Sequence, residues 1–172
     1  MAAAVRDRVR DVADFPRSGI VFKDITPVLA DAELFAAATA AMAAPFVAEG
    51  VTHVVAVESR GFIFGGPVAQ RLGAGFVPVR KRGKLPSRTE SVEYSLEYGV
   101  DVLEMHADAF EPGARALIVD DVLATGGTAA ATCRLVERLG GVVVGCTFLI
   151  ALSFLGGDRA LTGRRLATLV TY

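Results

Sequence analysis

LIVDDVLATGGTAAAT, residues 117–132, decides the fold. An apolar run meets two adjacent aspartates, Asp120 and Asp121. A loop with a glycine pair between threonines follows, and then a run of alanines suited to a helix. In an open parallel sheet, ligands bind beyond the carboxyl ends of the strands, which is where this turn falls. Unpaired N–H groups at the start of the helix, together with its dipole, favour an anion. In the loop Ala124-Thr125-Gly126-Gly127-Thr128, the glycines remove side chains that would block a phosphate, and the threonines add hydroxyl donors. Like charge keeps the aspartates from that phosphate, but they can accept hydrogen bonds from sugar hydroxyls. Carboxylates for hydroxyls beside a donor nest for phosphate describe a holder for a ribose 5-phosphate, provided both halves act on one ligand. A glycine pair alone is a common structural turn, and an acidic pair alone is a solvated strand end. The whole strand, acidic pair, loop and helix together carry the reading.

Outward from this stretch, strand and helix signals alternate. THVVAVESRG (52–61) reads as a buried strand and a polar turn, and GFIFGGPVAQRLG (61–73) as a helix stopped by Gly73. GFVPVRKRGKLP (75–86) starts as a strand and leaves through a basic stretch. After ARALIVDD (strand), VLATGGT (loop) and AAATCRLVERLGG (helix), GVVVGCTFLIAL forms another strand, and RRLATLVTY is expected at a sheet edge. Residues 52–151 thus predict a mostly parallel central sheet flanked by helices on both faces. Upstream, Val5, Val9 and Val12 predict an amphipathic helix over 3–13. Residues 15–31 read as irregular with one short extended piece, IVF. Asp31 is expected to cap a helix running toward Glu49 that Pro45 kinks or splits. Residues 87–110 alternate in a way that suggests a β ribbon or mobile flap rather than core.

The chain has 172 residues, 52% of them apolar and 22% charged, with a net charge of -1. That suits one globular domain over 1–172 and excludes a disordered chain. No global basic field draws it to nucleic acid, so any anion site must be local. Arg6, Asp7, Arg8, Arg10 and Asp11 stand where a secretory signal needs an apolar core, and 142–155 is short for a membrane span. A cytoplasmic protein is expected, with no membrane partner. Cys133 and Cys146 lack metal or redox spacing and read as core thiols. His53 and His106 are isolated and read as structural.

The acidic strand end and TGGT-type loop resemble the signature of the type I phosphoribosyltransferases. Three further segments are similar to the adenine-specific branch of that family: FPRSGIVFKDITPVL (15–29), ESRGFIFGGPVAQRLG (58–73) with VPVRKRGKLP (77–86), and EYSLEYG (93–99). The resemblance runs in order over nearly the whole chain. It implies the α/β type I phosphoribosyltransferase fold, with a small hood from residues 15–31 and a flexible flap at about 83–107. The implied reaction transfers phosphoribose from 5-phosphoribosyl 1-pyrophosphate to adenine, giving AMP and pyrophosphate, in purine salvage. Mg2+ is the implied cofactor, held mainly by substrate and water, and a homodimer is the implied assembly.

The resemblance also assigns residues. Main-chain groups of Val21, Phe22 and Lys23 read the adenine edge; Phe22 stacks on the ring and Val122 covers its other face. A backbone acceptor for the exocyclic amine disfavours a 6-oxopurine, which would leave that acceptor unpaired. Lys23 stands where many relatives carry arginine, so a guanidinium role would be lost there. Arg60 helps hold the base and is a candidate catalytic residue. Glu58, Ser59 and Arg60, followed by a helix, meet the pyrophosphate with Arg80, Lys81 and Lys84, part of which acts across the dimer interface. Asp120 and Asp121 hold the ribose, and Ala124 to Thr128 hold its phosphate. Glu97 matches the family's acid–base residue, and Tyr98 beside it belongs to the flap. Taken without the resemblance, IVF is a small core strand, RKRGK a solvated surface and Glu97 an exposed hairpin residue.

Three other readings stay open. A sister enzyme would share the sugar site but prefer another purine. A regulator on the same fold would bind phosphoribosyl pyrophosphate without chemistry. A plain Rossmann-like module is disfavoured by the missing glycine fingerprint.

Overall fold

The computed structural model describes residues 1–96 and 99–172. In chain order the elements are α1 (Ala2–Arg8), β1 (Arg10–Ala13), β2 (Val21–Asp24), α2 (Thr26–Leu29), α3 (Ala32–Ala43), β3 (His53–Val57), α4 (Arg60–Leu72), β4 (Gly75–Lys81), β5 (Thr89–Leu96), β6 (Gly99–His106), β7 (Arg115–Leu123), α5 (Gly127–Arg138), β8 (Val142–Ala151) and β9 (Leu166–Thr171). Among the described residues, seven strands form one sheet in the order β5-β6-β4-β3-β7-β8-β9. From β4 to β9 neighbouring strands run parallel. β6 joins β4 antiparallel and carries β5 as its hairpin partner. β1 and β2 form a separate antiparallel pair.

The apolar runs explain the layering. Successive side chains on a strand point to opposite faces. Val54, Leu117 and Leu149 face a core built with Met42 and Phe46 from the α3 side and Phe64 and Val68 from α4. Their neighbours Val55, Ile118 and Phe148 face the other core, with Leu135 and Val136 of α5. A strand buried on both faces needs no polar alternation, which is why these runs read as continuously apolar. Each fully buried Val, Leu or Phe side chain contributes roughly 1.5–3 kcal/mol. The mostly parallel sheet flanked by helices is the fold expected from the sequence, with β9 at its edge.

Several local expectations hold. Asp31 accepts from the Leu34 N–H at 3.0 Å and caps α3. The helix stops at Ala43, and Ala44–Phe46 around Pro45 tighten into a 3-10 turn. Gly73 ends α4 in the left-handed conformation, φ 63°.

Three expectations are corrected. The helix over 3–13 stops at Arg8, and Val12 instead belongs to β1, opposite Phe22. Pairing with β2 outweighs a helical spacing carried by only three valines. The ribbon over 87–110 is not peripheral to the core. β6 extends the main sheet, and Val92, Leu103 and Met105 are buried with α5 and β4. The strand through LIVDD does not end at the aspartates but continues to Leu123, and α5 begins at Gly127 rather than at the alanines.

Candidate active site

A cavity of about 460 Å³ opens at the carboxyl ends of β3 and β7, and its walls come from several stretches of the chain, Leu152 after β8 among them. β2 supplies Val21, Phe22 and Lys23, with Ile20 beside them. The turn after β3 supplies Glu58, Ser59 and Arg60. β7 and the loop after it supply Asp120, Asp121, Val122, Ala124 and Thr128. β4 and the β5–β6 hairpin supply Lys81, Tyr94 and Leu103. A smaller adjoining cradle of about 70 Å³ is lined by Thr125, Gly126 and Gly127.

The β7 tip concentrates charge. Asp121 is buried at 5% exposure, and Arg60 Nε donates to its Oδ2. The Arg60 guanidinium carbon also lies 5.5 Å from the centre of the Phe22 ring. The Asp121 N–H donates to Asp120 Oδ1 at 2.9 Å. Burial, and then the charge of Asp121, hold the Asp120 carboxyl well above the usual carboxylate range; Arg60 opposes this more weakly. Gly61 is what lets the start of α4 approach this tip. A Cβ there would stand 2.8 Å from Asp120 Oδ1 and 3.2 Å from the Val119 carbonyl.

The loop after β7 is shaped by glycine. Gly126 caps α5 with φ 80°, a conformation that side chains resist. A Cβ at Gly126 would meet the Gly157 carbonyl oxygen at 2.3 Å, and one at Gly157 would meet the Ala124 carbonyl oxygen at 2.2 Å. The 157–161 turn therefore braces the loop from outside.

The basic run behaves differently from a simple cationic lining. Arg80 Nε donates to Glu58 Oε2 at 2.7 Å and its Nη1 to the Lys84 carbonyl at 3.0 Å. Neither Arg80 nor Lys84 lines the cavity, whereas Lys81 does. The Lys81 N–H donates to Glu58 Oε1 at 2.8 Å. Burial pushes the Glu58 carboxyl up, but the Lys81 and Arg80 hydrogen bonds outweigh it, and the group sits below its usual range. The Glu58 N–H is taken by the Val79 carbonyl at 2.9 Å. Glu58 is thus an organiser of Arg80 and Lys81. Lys81 Nζ pairs with Asp101 at 3.0 Å, which raises the lysine and lowers the aspartate.

The Lys23 ammonium is held by Asp11 and the Tyr172 ring. Its Nζ lies 2.6 Å from Asp11 Oδ1 and 4.1 Å from the centre of the Tyr172 ring. Glu97 and Tyr98 lie outside the described residues. Sequence reasoning missed Tyr94, Leu103 and Leu152 in the cavity wall, Asp101 behind Lys81, and Gly157 behind the loop. The Gly156-Gly157 pair was the available signal for the last; the others needed strand register. Cys133 and Cys146 are buried, their sulfurs 3.9 Å apart.

Among the described residues, no group of three or more His, Cys, Asp and Glu side chains is arranged to hold a metal ion. Asp121 is paired with Arg60, and Glu58 with Arg80 and Lys81. Among the described residues, the cavity therefore offers no ready-made metal cage. No described helix is long and apolar enough to cross a membrane.

An acidic strand tip and a glycine-braced helix start, opening on one cavity of a parallel sheet, define a phosphoribosyltransferase domain, and the family model described as "Phosphoribosyl transferase domain" matches residues 28–160. The adenine phosphoribosyltransferase of Myxococcus xanthus is 59% identical over 172 residues, covering 100% of this chain and 94% of that protein. The crystal structure of adenine phosphoribosyltransferase from Thermoanaerobacter pseudethanolicus superimposes with a TM-score of 0.97 at 49% identity, covering 100% of both chains. That from Saccharomyces cerevisiae, complexed with an imino-altritol bisphosphate and adenine, gives 0.92 at 37% identity, covering 98% of this chain and 97% of that one. The chain belongs to the adenine phosphoribosyltransferase family.

Proposed function

We infer that this protein transfers the 5-phosphoribosyl group from phosphoribosyl pyrophosphate to adenine, giving AMP and pyrophosphate. One observation carries the reading: Asp120 and Asp121 of β7, Ala124 and Thr128 at the two ends of the glycine loop, and Val21 to Lys23 of β2 all line the same cavity, with the loop's glycines in the adjoining cradle. The ribose hydroxyls donate to Asp120 and Asp121, and the 5-phosphate lies on the N–H groups and hydroxyls of residues 124–128. Adenine lies between Phe22 and Val122. Among the described residues β2 pairs only with β1, so its other edge keeps main-chain donors and acceptors for the base.

The adenine ring nitrogen attacks the anomeric carbon as pyrophosphate leaves. Positive charge develops on the sugar and negative charge on the leaving group. Catalysis rests on positioning and on fixed cations, without a protein nucleophile. Arg60 stands between Asp121 and Phe22, where sugar and base meet. Ser59, Arg60 and Lys81 face the pyrophosphate, and Glu58 fixes the Arg80 guanidinium and the Lys81 main chain beside it. Each charge-assisted hydrogen bond contributes roughly 1.5–3 kcal/mol. A divalent ion such as magnesium, if bound with the substrate, would supply neutralising charge to the pyrophosphate oxygens. Glu97 is proposed to move the proton displaced between ring nitrogens, a contribution of roughly 10²–10⁴-fold, and Tyr98 to close beside it. Residues 15–31 are proposed as the hood of one domain and about 83–107 as its flap, a flap rooted in the main sheet where β6 pairs with β4.

We further propose a cytoplasmic homodimer. Ile63 of α4 and Phe76 of β4 are each 39% exposed, and Phe62 packs edge-on to Phe76 at 5.6 Å. A second copy covering this apolar face suits a stable assembly. Sedimentation at micromolar concentration should give twice the chain mass, and a monomer would refute it. The activity itself is tested by incubating adenine, hypoxanthine, guanine and uracil separately with phosphoribosyl pyrophosphate and magnesium. AMP formation from adenine alone is expected; turnover of hypoxanthine or guanine without adenine would transfer the reading to a sister specificity.

A further inference from the structure

The base half of the cavity is held by a residue that does not line it. The Tyr172 ring is packed between two cations: Lys23 Nζ lies 4.1 Å and the Arg6 guanidinium carbon 4.8 Å from its centre. Lys23 sits on β2, directly opposite Asp11 of β1, and its ammonium also meets Asp11 at 2.6 Å. The Lys23 side chain is only 15% exposed, so this cation is committed to Tyr172 and Asp11. Cation–ring contacts of this kind strengthen as they are desolvated. The Tyr172 main chain grips a second wall of the same cavity. Its N–H donates to the Ala151 carbonyl at 2.9 Å, and its carbonyl accepts from the Ser153 N–H at 2.9 Å and the Ser153 hydroxyl at 2.6 Å. Leu152, between those two residues, lines the cavity. Arg6 closes the arrangement by donating to the Thr171 carbonyl at 2.7 Å.

We propose that Tyr172 is a positioning residue for the nucleobase: it clamps the β2 wall, Val21 to Lys23, against the Leu152 wall and so fixes the width of the base slot. The proposal rests on adenine occupying that slot, as set out above. The β2 pair needs such a clamp because two isolated strands are marginally stable alone. The phosphate cradle, on β7 and α5, is not lined by Tyr172; it meets the clamped wall through main-chain pairing, the Leu152 N–H donating to the Leu123 carbonyl at 2.9 Å.

The test is steady-state kinetics of the full chain, with adenine and phosphoribosyl pyrophosphate varied separately, for wild type, Tyr172→Phe and Tyr172→Leu. Tyr172→Leu removes the ring face and should raise the KM for adenine about tenfold, with the KM for phosphoribosyl pyrophosphate and kcat within about twofold of wild type. Tyr172→Phe keeps the ring and should restore the adenine KM to within about twofold of wild type. Asp11→Asn, which loosens Lys23 from the other side, should raise the adenine KM in the same direction and serves if Tyr172→Leu does not fold. Equal loss against both substrates, a Phe variant as impaired as the Leu variant, or an unchanged adenine KM in the variants that fold would overturn the clamp. Failure of the wild-type enzyme to use adenine would instead overturn the substrate assignment on which it rests.

Discussion

Asp121 donates its main-chain N–H to the carboxylate of Asp120 at 2.9 Å, so two adjacent acids share one strand tip while Arg60 pairs with only one of them. Asp120 is left partly buried beside a like charge, and its carboxyl is held well above its ordinary value of 3.8. The folded chain therefore binds more protons at this site than the unfolded chain between 3.8 and the raised folded value. Stability contributed here is greatest below 3.8 and falls as pH rises through that window. Asp120→Asn should accordingly be more stable than wild type at neutral pH, by a margin that shrinks toward zero in acid. Each 1 kcal/mol of that margin raises Tm by roughly 2–4 °C for a chain of this size. The same substitution should cost about tenfold or more in kcat/KM for phosphoribosyl pyrophosphate, the loss of one hydrogen bond to a charged group. Thermal unfolding across pH, paired with kinetics, checks both.

Glu58→Gln tests the organiser. The Glu58 carboxyl lies below its usual range, so its stabilising contribution is present above its unfolded value of 4.5 and lost as pH falls through the lower folded value. Glutamine removes the charge that holds Arg80 and weakens the acceptor for the Lys81 N–H. We expect roughly tenfold lower kcat/KM for phosphoribosyl pyrophosphate, with the adenine KM little changed. An unaltered profile for both substrates would remove Glu58 from the account.

Gly126→Ala tests the loop. A Cβ placed 2.3 Å from the Gly157 carbonyl at φ 80° cannot be accommodated without moving the loop or the 157–161 turn. A destabilisation of about 1–3 kcal/mol is expected, together with a KM for phosphoribosyl pyrophosphate raised at least tenfold. Wild-type affinity, measured by titration calorimetry with ribose 5-phosphate, would contradict the assigned cradle.

Phe22→Ala tests the base slot. It removes the ring proposed to stack on adenine, whose centre lies 5.5 Å from the Arg60 guanidinium carbon. About a tenfold rise in the adenine KM is expected, with phosphoribosyl pyrophosphate affinity retained, because aromatic stacking contributes roughly 0.5–1.5 kcal/mol beyond buried area. Initial-rate measurements with each substrate varied give the answer.

How much of this was legible in the sequence follows from how local each signal is. LIVDDVLATGGT carried its meaning because strand, acids, glycines and helix start are consecutive, and the chain folds there as one local unit. The alternation of apolar runs and helices gave the parallel sheet for the same reason. What failed was decided by distant pairing. Val12 followed Phe22 into a two-stranded ribbon, and no spacing within 3–13 could announce that. The β5–β6 hairpin looked peripheral because its outer face is polar, yet Leu103 and Met105 lie against α5. Tyr94 and Leu103 reach the cavity through the register of β6 on β4, which only the folded sheet fixes. Arg80 reads as one more cation in a basic run; only the fold shows that its guanidinium pairs with Glu58.

The central claim is that one sugar phosphate spans the β7 tip and the glycine loop. A crystal structure of the protein with ribose 5-phosphate measures this directly. The account predicts the ribose hydroxyls within hydrogen-bonding distance of Asp120 and Asp121 and the phosphate on the main-chain N–H groups of residues 125–128. Ribose 5-phosphate bound elsewhere, with that corner filled by solvent, would contradict it.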